Sequence, residues 1–570
     1  MAEFIVLERG GVRWQIRPGL EYLFGPDGLR LEQWLAAGQA QIVKHGPHRT
    51  VYHVVLPGLD FYLKHNRLAD CRARLRELVR PSKARSEYEH ARAVAARHVP
   101  TFEPLALGEP CTGTLTCPTR WAGRDSFLIT RTLRETQSLH SFLETTLPQW
   151  PMRRRTRLRQ RLAVALGRLL ARMHNAGIAH HDLHPGNLLL RLDAEDQPEL
   201  FLIDLHAVRI GAPLSWRARR ANLILLNHWF SLRSERTDRL RFWRAYEAAT
   251  RWIASCETIH RIADLERRTL ASNVRIWRKL DRRCLGNNRR FRRVRVGDIA
   301  GHAVADLAAE ALASLLTNPD APFEQPSNIA LKRSPSSSVI ELDLPGPNGP
   351  RRVIYKRFPV TRWSDPWAAL FRPAPALRSY VMGHGLLLRC LPTPRPLAVW
   401  HRYRHGLACE GYLLTEKVTD ALELHSFLDR LYSLPAAECR RRLRRLIDQI
   451  AHLLATLHQR RLSHRDLKAA NVLVSPANGE GEVSLYFIDL VGVRRLRKLR
   501  RWRRVQNLAR LNASFLNHPG LTRSDRLRFL RVYLRWGLRG RSGWKRWWQQ
   551  IAEATADKVR RNGRKGRPLG

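Results

Sequence analysis

The chain has 570 residues, more than a single hydrophobic core organises, and its 44% hydrophobic content is that of a globular protein. Its 100 Lys+Arg against 50 Asp+Glu give a formal charge of +50, which calls for a polyanionic partner. No stretch approaches the roughly 18 apolar residues of a membrane span, the opening MAEFIVLERGG does not read as a signal peptide, and the eight cysteines include no C-x2-C pair, which speaks against a disulfide framework or zinc site.

In chain order, VYHVVLPGLDFYLKH (from Val51) alternates around a Pro-Gly turn as a β-hairpin does and ends near Lys64. Leu162, Leu166, Leu169, Leu170 and Met173 then fall at helical spacing, which predicts an amphipathic helix. HHDLHPGNLLL (from His180) follows, and FLIDLHAV (from Phe201) ends a predicted strand. The same series returns later. SVIELDLPGPNGPRRVIYKRF carries Lys356, and Leu443, Ile447, Ile450, Leu454 and Leu457 predict the second helix. HRDLKAANVLV (from His464) and YFIDLVGV (from Tyr486) complete it. LHSFL and DRLRF are shared between copies as well, at offsets of 284 to 292 residues in constant order. So long a period marks a duplicated domain and not a solenoid.

Each copy places an Asp two residues after a His, an Asn five residues further on, and a second Asp at the end of a strand. An Asp on such a loop can take the proton of a substrate hydroxyl. The Asn and the second Asp are oxygen ligands of the kind Mg2+ prefers, and an upstream strand lysine can neutralise phosphates. The bland reading, turn and helix caps, suits one such motif poorly matched elsewhere. It does not suit four groups in order, twice.

On these residues the sequence resembles the protein-kinase-like superfamily, and within it the lipopolysaccharide kinase (Kdo/WaaP) family. SEYEHARAVAARHVPTFEPLALGEP (from Ser86), PTPRPLA (from Pro392) and the NLxxLN and DRLRF segments add to the resemblance, which spans roughly Gly38 to Tyr533. It implies an α+β fold of two tandem bilobal kinase-like domains, each with a small β-rich lobe and a larger helical lobe. It implies Asp182 and Asp466 as catalytic bases, and Asn187, Asp204, Asn471 and Asp489 as metal ligands. Lys64 and Lys356 would bind phosphates, with Glu87 pairing to Lys64, and Lys468 adds a cation near the γ-phosphate in copy two. ATP and Mg2+ are the implied cofactors.

Three features depart from the protein-kinase pattern. No G-x-G-x-x-G precedes either lysine, no A-P-E follows either Ile-Asp-Leu, and Ser379 stands where Glu87 aligns in copy two. The expected function is therefore phosphorylation of a sugar hydroxyl of lipopolysaccharide inner core (Kdo or heptose) or a related anionic glycolipid. A Ser/Thr protein kinase is the alternative, and a tandem pseudokinase scaffold binding anionic membrane or nucleic acid the further one. The expected partners are ATP, an anionic sugar acceptor and the surface of an anionic membrane. Nucleic acid is disfavoured, and the location is cytoplasmic, peripheral at the inner membrane.

The expected domains are 1–254 and 326–543, with 255–325 as a basic connector that does not repeat cleanly and 544–570 as a basic tail. Within the connector, RIWRKLDRRCLGNNRRFRRVRV (from Arg275) interleaves cations and aromatics. In the tail, Trp544, Trp547 and Trp548 are candidates for a membrane interface. Basic runs follow both strand-end aspartates, VRIGAPLSWRARR (from Val208) and RRLRKLRRWRR (Arg494 to Arg504), and are candidates for gripping an anionic acceptor.

Overall fold

The structure is a computed structural model and describes residues 4–67, 81–111, 125–250, 258–346, 349–477, 482–537, 543–564 and 566. The chain divides into two compact units, 1–272 and 273–570.

The first unit opens with seven antiparallel strands: β1 (Ile5–Arg9), β2 (Val12–Ile16), β3 (Ala40–Gly46), β4 (Arg49–Leu56), β5 (Leu59–Asn66), β6 (Pro104–Pro110) and β7 (Ser126–Arg131). Their order in the sheet is β1-β2-β6-β7-β5-β4-β3. Alternation builds it: Val54, Phe61, Leu63 and Ile129 point to one face and are buried there with Trp14 and Ile16. Helix α1 (Leu31–Ala36) lies between β2 and β3, and α2 (Lys83–Ala95) between β5 and β6. Ser82 caps α2, its hydroxyl accepting from Arg85 N at 3.0 Å.

The helical part holds α3 (Met152–Asn175), α4 (Trp216–Arg233), α5 (Arg236–Ala249) and, up to Ser272, α6 (Thr258–Leu280) around a second core. The predicted stripe of α3 is buried as expected. Gly167 lets α3 and α5 touch, since a Cβ there would sit 2.5 Å from Phe242 O. A buried bond from His174 Nδ1 to Tyr246 Oη, 2.8 Å, ties the same two helices.

The second unit repeats this plan. Strands β8 (Phe291–Val296), β9 (Ile299–Val304), β10 (Ile329–Ser334), β11 (Ser337–Leu344), β12 (Arg351–Phe358), β13 (Pro396–Arg404) and β14 (Leu407–Glu416) form a sheet of order β8-β9-β13-β14-β12-β11-β10. Helices α7 (Glu310–Thr317), α8 (Asp365–Phe371) and α9 (Pro375–Leu387) accompany it. The helical part comprises α10 (Leu424–Tyr432), α11 (Ala436–Gln459), α12 (Arg501–Ala513), α13 (Arg523–Gly537) and α14 (Trp544–Gly563). His458 Nδ1 and Tyr533 Oη repeat the internal bond, again at 2.8 Å.

The repeat is longer than its motifs. Asn227 Nδ2 donates to Thr269 Oγ1 of α6 at 3.1 Å, and Asn512 Nδ2 donates to Thr555 Oγ1 of α14 at 3.1 Å. Helices α6 and α14 are thus the same element. Strands β8 and β9 likewise hold the place of β1 and β2 at one edge of their sheet. The segment 255–325, expected as a connector, contains the closing helix of one copy and the opening hairpin of the next. The segment 544–570, expected as a tail, contains the closing helix of the second copy. Its tryptophans face inward: Trp547 is 4% exposed, and Trp544 and Trp548 pack on the same core. Among the described residues no helix is long and apolar enough to cross a membrane.

Candidate active site

Lys64 lies mid-strand on β5, paired with Val51 and Leu128 on its neighbours, so its position is set by the sheet. Its ammonium donates to the buried carboxylate of Glu87 on α2. Both side chains are out of water, a setting in which an ion pair holds only when both partners stay.

His180 ends a short strand and is fully buried. Its Nδ1 accepts from Asp182 N at 3.2 Å and its Nε2 faces Ile203 O at 3.2 Å. A carbonyl can only accept, so Nε2 carries the hydrogen and the ring is neutral. Burial lowers its pKa in the same sense. His180 is therefore a brace for the loop and not a base. Asp182, 64% exposed at its side chain, is open to a substrate.

Asn187 Nδ2 donates to the backbone carbonyl of Asp182 at 2.8 Å, which fixes the amide and leaves Oδ1 as the atom that could meet a cation. The pairing of Leu188 with Leu202 brings Asn187 and the strand end at Asp204 to one side. Asp204 stands in the left-handed region at φ 63°, which Asp tolerates better than most residues. Arg49 Nη1 and His206 Nδ1 each lie 3.1 Å from its Oδ1. Burial alone would raise the Asp204 pKa. The His206 hydrogen bond and the charges of Arg49 and Lys64 outweigh burial and hold it well below the carboxylate range. Glu87, Asp204 and His206 each bring a ligand atom within 4.8 Å of the others. Glu87 is already bound to Lys64, so Asn187 and Asp204 form the oxygen set that fits a hard cation such as Mg2+.

The second unit repeats the loop closely. Asp466 N donates to His464 Nδ1 at 3.3 Å, and His464 Nε2 faces Ile488 O at 3.4 Å. Asn471 Nδ2 donates to Asp466 O at 2.7 Å, and Asp489 has φ 51°. Lys468 is half-buried and immediately precedes the turn Ala469–Asn471.

The lysine is wired differently. Ser379 is buried in α9 where Glu87 stands in α2, and Lys356 donates instead to Asp489 Oδ1 at 3.1 Å. Val51 pairs with Lys64 and Val339 with Lys356, so Ser337 holds the position of Arg49. Copy two thus lacks both Glu87 and Arg49, and a single contact replaces two. Burial alone would raise the Asp489 pKa, but the charge and hydrogen bond of Lys356, then His464 and Lys332, lower it.

Arg49, His206 and Lys332 escape motif reasoning. Arg49 opens β4 directly after the hairpin turn, where a phosphate-covering loop would lie, and that position is its one sequence signal.

The basic runs divide in two. Arg219 is 3% exposed and donates to Leu214 O at 2.7 Å and to Asn175 Oδ1, and Arg501 stacks on Trp547 at 4.5 Å. These arginines hold the helices. Arg209, Arg217, Arg494, Arg497, Lys498 and Arg500 are exposed and remain candidates for an acceptor. Each helical part also encloses an apolar cavity, about 400 Å3 in the first unit and about 550 Å3 in the second, and no candidate site residue lines either.

The family model described as Lipopolysaccharide kinase (Kdo/WaaP) family matches residues 62–246 and 383–533, one match in each copy. The chain is 32% identical over 171 residues to the lipopolysaccharide core heptose(I) kinase WaaP of Pseudomonas aeruginosa, 29% of this chain and 59% of that one. It is 31% identical over 131 residues to 3-deoxy-D-manno-octulosonic acid kinase of Haemophilus influenzae, 23% of this chain and 49% of that one. The chain thus spans roughly half the length of these relatives. A solved structure of WaaP in complex with acyl carrier protein aligns with 45% of this chain and 98% of its own at 24% identity, with a TM-score of 0.33.

Proposed function

The chain belongs to the lipopolysaccharide kinase (Kdo/WaaP) family, and from that membership we propose that it transfers the γ-phosphoryl group of ATP to a sugar hydroxyl of lipopolysaccharide inner core, Kdo or heptose, or of a related anionic glycolipid. The observation that carries the reading is the twofold set of Asp, anchored Asn and left-handed Asp beside a strand lysine.

In the first unit Asp182 accepts the proton of the acceptor hydroxyl as its oxygen bonds to the γ-phosphorus and the bond to the β–γ bridging oxygen breaks, releasing ADP. Lys64, held by Glu87, binds the α- and β-phosphates. Asn187 Oδ1 and Asp204 would hold Mg2+, which would supply neutralisation of phosphate charge. Arg49, now on Asp204, is placed to turn to a phosphate. Asp466, Asn471, Asp489, Lys356 and Lys468 take the corresponding places in the second unit, where Lys356 has Ser379 in place of a helix-borne glutamate. The exposed arginines after each strand end meet the acceptor's carboxylates and phosphates. The protein works at the cytoplasmic face of the inner membrane.

The purified chain with labelled ATP and Mg2+ is offered core oligosaccharides and unrelated proteins in parallel. Label on the oligosaccharide supports the reading. Label on protein alone replaces it with a protein kinase, and nucleotide binding without turnover replaces it with a pseudokinase scaffold.

A further inference from the structure

Helix α8 and the turn before it gather the most exposed aromatic side chains of the second unit into one short stretch. Tyr355, Tyr380, Trp400 and Tyr412 are fully buried. On and just before α8, Trp363, Trp367, Leu370 and Phe371 are 86%, 56%, 60% and 92% exposed. Trp367, Leu370 and Phe371 fall at i, i+3 and i+4, one face of α8, and Trp363 stands in the turn just before it. Trp363 and Phe371 are the two most exposed large apolar side chains among the described residues.

The stripe is not on a loose loop. Asp365 Oδ2 accepts from the backbone of Thr361 at 3.0 Å, from its hydroxyl at 2.8 Å and from the backbone of Arg362 at 2.9 Å, which ties down the start of the helix. Ala368 and Ala369 are half-buried, and the helix packs on β14.

Cations frame it. Arg362 and Arg372 are exposed at its two ends. Arg372 also belongs to a cluster with Arg378, Arg465 and Arg494. The Arg378 guanidinium is pulled below its usual pKa, first by burial and then by the charges of those three arginines. Its Nε is buried without a hydrogen-bond partner. Arg465 adjoins Asp466, so this positive charge lies beside the catalytic loop of the second copy.

We propose that α8 is a monotopic membrane contact: Trp363, Trp367, Leu370 and Phe371 enter the interfacial layer of an anionic bilayer while Arg362 and the cluster of Arg372, Arg378, Arg465 and Arg494 hold lipid phosphates. Aromatic side chains with arginine beside them suit the headgroup boundary, where apolar area is buried and phosphate is abundant. A second copy of the chain fits worse, because a self-complementary pairing would press the same arginines together. The role moves from Trp544, Trp547 and Trp548, which are committed to the core, to a different element. That the contact presents a glycolipid to Asp466 rests on the proposed kinase function; the contact itself does not.

The test uses the full chain without nucleotide, sedimented with vesicles of phosphatidylglycerol and phosphatidylcholine, or of phosphatidylcholine alone. The wild type should bind the anionic vesicles, and binding should weaken with salt. The variant Trp363→Ser, Trp367→Ser, Phe371→Ser should bind them at least about tenfold more weakly. It should phosphorylate a water-soluble core oligosaccharide at the wild-type rate. Arg362→Gln with Arg372→Gln should remove the preference for anionic vesicles. Unchanged vesicle binding by the aromatic variant would overturn the inference. So would a wild-type dimer that this variant converts to monomer, because the stripe would then be a self-interface. Absence of oligosaccharide phosphorylation by the wild type would remove the kinase reading and leave the vesicle result standing.

Discussion

Lys356 Nζ lies 3.1 Å from Asp489 Oδ1, whereas its counterpart Lys64 is bound to Glu87 and leaves Asp204 to Arg49. In the second copy the strand lysine and the strand-end aspartate therefore neutralise each other. If the proposed roles hold, a nucleotide and its cation would have to separate them before either could act. In the first copy both groups already have other partners.

The two copies should therefore differ in what a lost base costs. Asp182→Ala should lower phosphorylation of the core acceptor by about a hundred- to ten-thousand-fold, the loss of a general base. Asp466→Ala should cost less. Steady-state rates of the two variants decide it, and a loss confined to Asp466→Ala reverses the assignment.

Supplying the missing acid should rewire the second site. Ser379→Glu places a carboxylate at the position of Glu87 and should draw Lys356 away from Asp489. Nucleotide affinity at the second site should rise about tenfold, the size of one charge-assisted hydrogen bond. Calorimetric titration that resolves two sites reads this directly. The converse change, Glu87→Gln, should weaken the first site and leave the second alone.

Acid should unfold the second unit first. Burial lowers His458 to about 3, and His384 and His401 to about 4, whereas in the first unit His174 falls to about 3. Each stays neutral in the folded state while its unfolded counterpart takes up a proton below about pH 6.5. Stability is therefore complete above that value and drains as pH falls toward 4. The paired carboxylates, whose pKa values are lowered, add their losses only at still lower pH. Hydrogen exchange at pH 7.5 and 5 should show the second unit opening more readily at the lower pH, and equal protection would contradict it.

Arg209→Gln with Arg217→Gln should raise the acceptor KM of the first site and leave the ATP KM nearly unchanged, an effect that shrinks as salt rises. Arg219→Gln, in the same run, should instead lower thermal stability, because its guanidinium is buried against Asn175 and Leu214. Equal losses for ATP and acceptor in the first variant would indicate a damaged fold.

The duplication and the two polar loops were legible because each loop residue sits at a fixed spacing with a fixed partner. The bond from Asn187 to the Asp182 carbonyl, for example, spans five residues. The full extent of the repeat was not legible. Helices α6 and α14 keep one shared hydrogen bond but few shared residues, since a closing helix needs only an apolar stripe and a long chain of substitutions preserves that. Pairings formed across the fold, such as Arg49 with Asp204, leave no local pattern at all. The tail tryptophans misled for a related reason: sequence shows that a side chain is apolar, and packing decides whether a core or a solvent-facing helix receives it.

The left-handed backbone at Asp204 and Asp489 governs how these sites should be probed by mutagenesis. A side chain with a β-carbon and no polar oxygen has little to stabilise φ values of 63° and 51°, so an alanine scan would merge a lost carboxylate with a bent strand end. Asparagine shares aspartate's tolerance of that conformation and keeps its shape while discarding its charge. At these two positions Asp→Asn isolates the electrostatic contribution, and the excess damage of Asp→Ala over Asp→Asn measures the geometry by itself.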